Sequence, residues 1–198
     1  MKIIDYYLFA ISPYAYMGHA RLIGVAHRHG ASIRLKPIDA TRVFSVSGGL
    51  PLGQRAKQRV AYRMTELKRW RDFLGLPMNV EPKYFPVASD GAARLIIAAE
   101  ELSTTAALDL AGRVLKAVWE QERNIADEAM LVALANEAGL DGAALLARSK
   151  APEIQSRYNA YTQEAIDGQI FGAPTYVYHD ELFWGQDRLD FLERALQR

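Results

Sequence analysis

Ser12-Pro13-Tyr14 follows directly on an apolar run near the start of the chain. Near the other end stand Gly172-Ala173-Pro174-Thr175 and, after a few residues, Phe183-Trp184-Gly185-Gln186-Asp187-Arg188. Serine before proline pairs a helix N-cap with a first helical residue. A helix N-terminus offers unpaired amides and the positive end of the dipole, so an anion beside the Ser12 hydroxyl is favoured there. A thiolate held at that point has its pKa lowered, because the charged form is the one stabilised. The chain has no cysteine, so such a thiol must be borrowed from another molecule. The same Ser-Pro pair also starts helices that need only a cap, and on these residues alone both readings stand.

Other chemistries find little support. Without cysteine there are no disulfides, no thiolate metal sites and no dithiol redox cycle. His19, His27, His29 and His179 lack metal-ligand spacing, and His27 and His29 would point to different sides of one helix, so no metal is expected. No Gly-x-Ser-x-Gly elbow surrounds Ser12, and there is neither a P-loop nor a dinucleotide fingerprint. A formal charge of +1 argues against nucleic-acid or membrane-surface binding through bulk electrostatics. No apolar run reaches the length of a membrane span. Met1-Lys2 leads straight into a strand, without the apolar stretch of a secretion signal; a cytoplasmic protein is expected.

The elements that must position these motifs follow from periodicity. Residues 3–9 are rich in β-branched and aromatic side chains and read as a buried strand. A helix follows to about His29, with Gly30 as its stop, and 32–38 alternates as a second, parallel strand. Residues 45–53 read as a loop by composition. From 54 to about 166 the pattern is helical apart from a 77–86 connection, with helices expected at 54–74, 91–102, 104–121, 127–136, 141–148 and 151–167. Strand texture returns at 175–178 and 182–184 around a His179-Asp180 turn, and a final helix is expected from Asp187. A chain of 198 residues can bury a sizeable core. The simplest architecture is an α/β unit of 1–44 and 168–198, split by an α-helical insertion of 45–167. The split ends should share one sheet, because neither half alone has strands enough to bury a face.

The helix expected over 54–74 carries Arg55, Lys57, Arg59, Arg63, Lys68, Arg69 and Arg71. At about 100° per residue, Arg59, Arg63 and Trp70 fall in one sector beside a Val60-Met64-Leu67 stripe. Such a run is either an anion-binding face or a solvated one. Asp187 is likewise either a ligand group or a plain N-cap.

Ser12-Pro13-Tyr14, the stretch Phe171-Gly172-Ala173-Pro174-Thr175-Tyr176-Val177 and the stretch Glu181-Leu182-Phe183-Trp184-Gly185-Gln186-Asp187-Arg188-Leu189 strongly resemble the 2-hydroxychromene-2-carboxylate isomerases. These belong with the kappa-class glutathione transferases, among the bacterial disulfide oxidoreductases of thioredoxin fold. The likeness covers nearly the whole chain and is most specific at the C-terminal stretch. It implies a thioredoxin-like β-α-β / β-β-α domain interrupted by an all-helical insertion, with serine standing where a redox cysteine would be. It implies glutathione as cofactor, its sulfur facing Ser12. Ala173, before a Pro174 expected to be cis, would pair its backbone with the cysteinyl part; Gln186 and Asp187 would receive the γ-glutamyl end. Arg59, three before Tyr62, matches a family lysine that contacts a glutathione carboxylate, and arginine there keeps the charge but changes the geometry. A loop asparagine of the family has no counterpart in 48–53. Tyr14, within a turn of Ser12, and Tyr84 or Phe85 in the Pro82–Val87 segment would line a slot for a small aromatic carboxylate.

The implied reaction converts 2-hydroxychromene-2-carboxylate to trans-o-hydroxybenzylidenepyruvate. Thiolate addition to the conjugated system turns a stiff double bond into a free rotor, and elimination returns the thiol. A homodimer is implied as well. Two alternatives remain: a kappa-like transferase or peroxidase, which would consume glutathione, and a non-catalytic thioredoxin-fold binding protein.

Overall fold

Ile4, Tyr6 and Leu8 alternate with Tyr7 and Phe9 near the start of the chain, and a period of two sends the sets to opposite faces of a sheet. The computed structural model, which describes residues 1–198, shows that division. The first set enters the main apolar core and the second a smaller cluster on the reverse face. Strand β1 (Lys2–Leu8) pairs in parallel with β2 (Ala31–Pro37), Tyr6 opposite Leu35, and helix α1 (Pro13–Arg28) makes the crossover. After the helical section, β3 (Thr175–Tyr178) returns antiparallel to β1, Tyr6 opposite Tyr176, and β4 (Glu181–Trp184) folds back on β3. The order is β2-β1-β3-β4. The two ends of the chain thus form one mixed sheet, as the sequence requires.

Between β2 and β3 run α2 (Ala40–Ser47), a 3₁₀ turn (Leu52–Gln54), α3 (Lys57–Leu74), α4 (Asp90–Glu100), α5 (Thr104–Trp119), α6 (Glu128–Glu137), α7 (Gly142–Ser149) and α8 (Pro152–Asp167). Each expected helix is present within a few residues. Helix α2 was not expected, and it takes three residues from the loop read over 45–53. Asp39 caps it, its Oδ1 accepting from the amides of Thr41 (2.8 Å) and Arg42 (3.2 Å), and fully buried Val43 pins it to the reverse-face cluster. Helix α3 starts at Lys57, later than the 54 expected, because 52–54 tightens into its own turn. The last helix, α9 (Leu189–Leu196), starts two residues after the expected Asp187, behind a 3₁₀ turn of Gln186–Arg188.

One apolar core holds the helices to the sheet. It joins Tyr6 and Tyr176 of the strands, Leu22 of α1, Leu95–Ile97 of α4, Leu110 and Trp119 of α5, and Leu192 of α9. Helix α4 is buried nearly all round, as its alanine- and isoleucine-rich sequence demands. Helix α3 has one buried residue, Leu67, and stays a basic, largely exposed helix against α1. On the reverse face, buried Lys36 ties β2 to α8. Its ammonium donates to the Glu164 carboxylate (2.5 Å), lies 3.2 Å from Asp5 and sits over the Tyr7 ring. No helix is long and apolar enough to cross a membrane.

Candidate active site

Three features converge at one end of the sheet: the start of α1, the start of β3 and the 3₁₀ turn after β4. Ser12 has extended backbone angles and is buried. Its Oγ accepts from the Ala15 amide (3.2 Å), so the serine is a true cap. The same hydroxyl donates to the Ala173 carbonyl at 3.3 Å, closing a separation of 161 residues. The cap and the proline loop therefore touch. Pro13 has no N–H, and the Tyr14 amide finds no carbonyl one turn back, so an orphan donor remains beside the hydroxyl. The Ala173 N–H has no partner within the chain either, and the Ala173-Pro174 peptide is cis.

The third motif is fastened to the second by its backbone. The Gly185 amide donates to the Pro174 carbonyl (2.9 Å), and Gly185 has φ of 109°. A β-carbon there would lie 2.5 Å from Asp187 Oδ1, so this position needs glycine for both conformation and space. Gly185→Ala is expected to destabilise the fold by about 1–3 kcal/mol and to push the Asp187 carboxylate aside. Thermal melting checks the first effect; a variant melting like the wild type would show that the turn relaxes without strain. Asp187 is not the plain N-cap that its place in the sequence allowed. Its side chain caps nothing, and its only close partner is the neighbouring Arg188 guanidinium at 3.2 Å.

Gln186 turns inward. It is buried, and Arg21 of α1 donates to its carboxamide oxygen (2.6 Å) and to its carbonyl (3.1 Å). Gly18 makes this approach possible, since a β-carbon there would lie 2.6 Å from the Tyr176 hydroxyl and 3.1 Å from Gln186. With its side-chain oxygen taken, Gln186 positions the turn and can offer a ligand only its remaining groups. Sequence reasoning missed Arg21, which lies 165 residues from its partner.

Tyr14 is half-buried between these loops and α3. Burial raises its phenol pKa, and the charges acting on it are Arg63, Glu66, Arg55 and Asp187. Arg59, by contrast, is exposed. The basic residues turned toward Tyr14 are Arg63 and Arg55. In the 77–86 connection the Tyr84 ring carries the Lys83 ammonium over it (5.0 Å), while Phe85 faces inward. The Phe85 ring centroid is 4.7 Å from that of Trp119, and the Arg63 guanidinium lies 5.4 Å from the Phe85 ring. Trp119 is fully buried, and its indole N–H donates to the Ile11 carbonyl (3.2 Å) next to Ser12. The helical section thus braces the Ser12 loop. His19, also buried, sits between the carbonyl of Leu108 (2.9 Å) and the Tyr6 hydroxyl (3.4 Å). Burial lowers its pKa, so it is a neutral packing residue away from this site.

Chemically, the arrangement is a donor cradle at a helix start, with the Asp187 carboxylate and the Arg63 and Arg55 guanidinium groups acting on the tyrosine beside it. The model of the DSBA-like thioredoxin domain matches residues 3–197. The chain belongs to the DSBA-like thioredoxin domain family. Within that family it is 30% identical to the 2-hydroxychromene-2-carboxylate isomerase of Pseudomonas putida, an alignment covering 99% of this chain and 95% of that one. A solved structure of a 2-hydroxychromene-2-carboxylate isomerase superposes with a TM-score of 0.83 at 30% identity, covering 99% of this chain and 95% of that one. The glutathione S-transferase kappa 1 of Caenorhabditis elegans is 23% identical over 98% of this chain and 91% of its own length. This DSBA-like chain thus resembles the 2-hydroxychromene-2-carboxylate isomerases along its whole length and carries serine, not cysteine, at the helix start.

Proposed function

We propose that this protein is a glutathione-dependent isomerase acting on 2-hydroxychromene-2-carboxylate or a related aromatic unsaturated acid. The observation that carries the reading is the meeting of Ser12 Oγ with the Ala173 carbonyl at the N-terminus of α1. That spot combines a hydroxyl donor, an orphan amide and the positive end of a 16-residue helix. It suits a thiolate, and the chain has no sulfur nucleophile of its own. The unpartnered Ala173 N–H fits a peptide-like ligand laid beside it, and the Asp187 carboxylate fits an ammonium group.

Glutathione, when bound, supplies a thiol that adds reversibly to a conjugated double bond and so frees rotation about it. The chain's own groups hold and tune it. Ser12 turns its hydroxyl from the Ala173 carbonyl to the sulfur and keeps the anion there. Ala173 pairs its backbone with the cysteinyl unit beside Pro174. Asp187 receives the γ-glutamyl ammonium, on a turn that Gln186 and Arg21 keep in place. Arg59, exposed in the first turn of α3, meets a glutathione carboxylate. Tyr14 and the aromatic residues of the 77–86 connection border the electrophile. A cytoplasmic homodimer, bathed in reduced glutathione, fits this chemistry.

Two measurements test the reading. Millimolar reduced glutathione is expected to raise the melting temperature, as mass action requires of a native-state ligand. With 2-hydroxychromene-2-carboxylate, product is expected to form while total glutathione stays constant. Loss of glutathione in step with substrate would favour the transferase, for which the likeness to the kappa 1 protein speaks. No melting shift and no turnover would leave Ser12 as a helix cap.

A further inference from the structure

Arg63 is a half-buried guanidinium with no carboxylate partner. No acid lies within ion-pair distance, although the helix around it is rich in charge. The acids nearest its neighbour Tyr14 are already engaged: Glu66 with Arg69 at 2.7 Å and Asp187 with Arg188 at 3.2 Å. The like charge that acts on it is Arg55, whose Nε is tethered to the Leu50 carbonyl (2.7 Å). A partly desolvated cation beside a second cation is costly unless an anion arrives to meet it. Its neighbours are aromatic: Phe85, packed on Trp119, has its ring centroid 5.4 Å from the guanidinium, and half-buried Tyr14, two residues after Ser12, interacts with the same charge.

We propose that Arg63, supported by Arg55, is the receptor for the substrate's carboxylate and sets the preference for acids whose carboxylate is attached to a conjugated arene. This rests on the reading of the Ser12 site as a thiol-addition site, and it adds the residue that orients the electrophile. The planar guanidinium matches a carboxylate in bidentate fashion. Tyr14 and Phe85 are the aromatic groups beside it that an attached ring would meet. The two carboxylates of glutathione share the same chemistry but bring no ring to those side chains, and exposed Arg59 stands one turn earlier on α3 to receive one of them.

The test is calorimetric titration of trans-cinnamate and its neutral isostere trans-cinnamamide into the wild type, Arg63→Gln and Arg63→Lys, with glutathione titrated separately. The wild type is expected to bind cinnamate at least about tenfold tighter than the amide, a difference of about 1.4 kcal/mol. Arg63→Gln is expected to bring that ratio to about one and to leave glutathione affinity within about twofold, while Arg63→Lys keeps part of the preference because it keeps the charge. A preference that survives Arg63→Gln, or that is missing from the wild type, overturns the proposal. So does a glutathione affinity that falls together with cinnamate affinity, since the guanidinium would then hold the cofactor. If the preference tracks Arg63 while the isomerase assay is silent, the receptor stands and the isomerase reading falls.

Discussion

Ser12→Gly is expected to lower glutathione-dependent turnover by about ten- to a hundredfold at neutral pH while leaving the melting temperature nearly unchanged. Glycine at an N-cap costs only a few tenths of a kcal/mol against serine, and the 3.3 Å bond to Ala173 is too long to add much. The hydroxyl's proposed bond to a thiolate is different in kind. A hydrogen bond to a charged group contributes about 1.5–3 kcal/mol, and each 1.36 kcal/mol is one unit of pKa. The sign follows. Ser12 favours the charged sulfur, so it depresses the thiol pKa, and its removal raises that pKa by about one to two units. The rising limb of the pH–rate profile should therefore move to higher pH. The deficit should be largest below the wild-type thiol pKa and should shrink once pH exceeds that of the variant.

Ser12→Asp separates the two roles of this residue from the other side. Aspartate caps a helix as well as serine does, yet it sets a negative charge against the sulfur. It keeps the cap but cannot donate to the Ala173 carbonyl, so it should melt lower than Ser12→Gly and be the less active of the two variants. Spectroscopic titration of the bound thiol is the deciding measurement. An identical thiol titration in wild type and Ser12→Gly would remove the hydroxyl from the chemistry.

The Ser12 half of the site was legible in the sequence because its motifs are local. Ser-Pro specifies its own backbone, and Gly-Ala-Pro-Thr likewise fixes how its strand is entered. The two ends have to share a sheet for want of strands, and that brings the two motifs to one end of it. Helix α2 was not legible. Ser45-Val46-Ser47-Gly48 has the composition of a loop, and what holds it in a helix is Asp39 at one end and the burial of Val43 against the reverse-face cluster. Helix α9 starts two residues beyond Asp187, where the sequence places it, because Gln186 is held inward by Arg21 within a local 3₁₀ turn.

On α3 the sequence offered Arg59 and Arg63 in one sector, and likeness to the family favoured Arg59. The choice turns on where the connection 77–86 lies, and that stretch has no periodicity from which to read a position. The fold puts Phe85 between Trp119 and Arg63, which turns Arg63 inward and leaves Arg59 in solvent. Tyr84 and Phe85 were equal on sequence; Trp119 separates them. A side chain's place in the site was readable where its own neighbours in sequence determine it, and hidden where a residue far along the chain does.

Trp119→Ala should be the most destabilising single change near the site. The fold makes Trp119 core: fully buried, against Phe85, with its N–H on the Ile11 carbonyl. Truncating a buried tryptophan costs about 3–5 kcal/mol, which for a chain of this size lowers the melting temperature by roughly 10 °C. Because the core runs without a break from α4 and α5 to the sheet, the loss should appear as a shift of one cooperative transition. Two separate melting steps would show instead that the helical section and the sheet unfold as independent units. Trp119→Phe isolates the brace. It keeps most of the volume but deprives the Ile11 carbonyl of its donor, a loss of about 1–3 kcal/mol, one residue before Ser12. If that brace holds the hydroxyl in place, Trp119→Phe should reduce turnover more than its modest stability loss explains, with glutathione affinity nearly kept. Wild-type rates in Trp119→Phe would confine Trp119 to packing and leave the position of Ser12 to its cap and to Ala173.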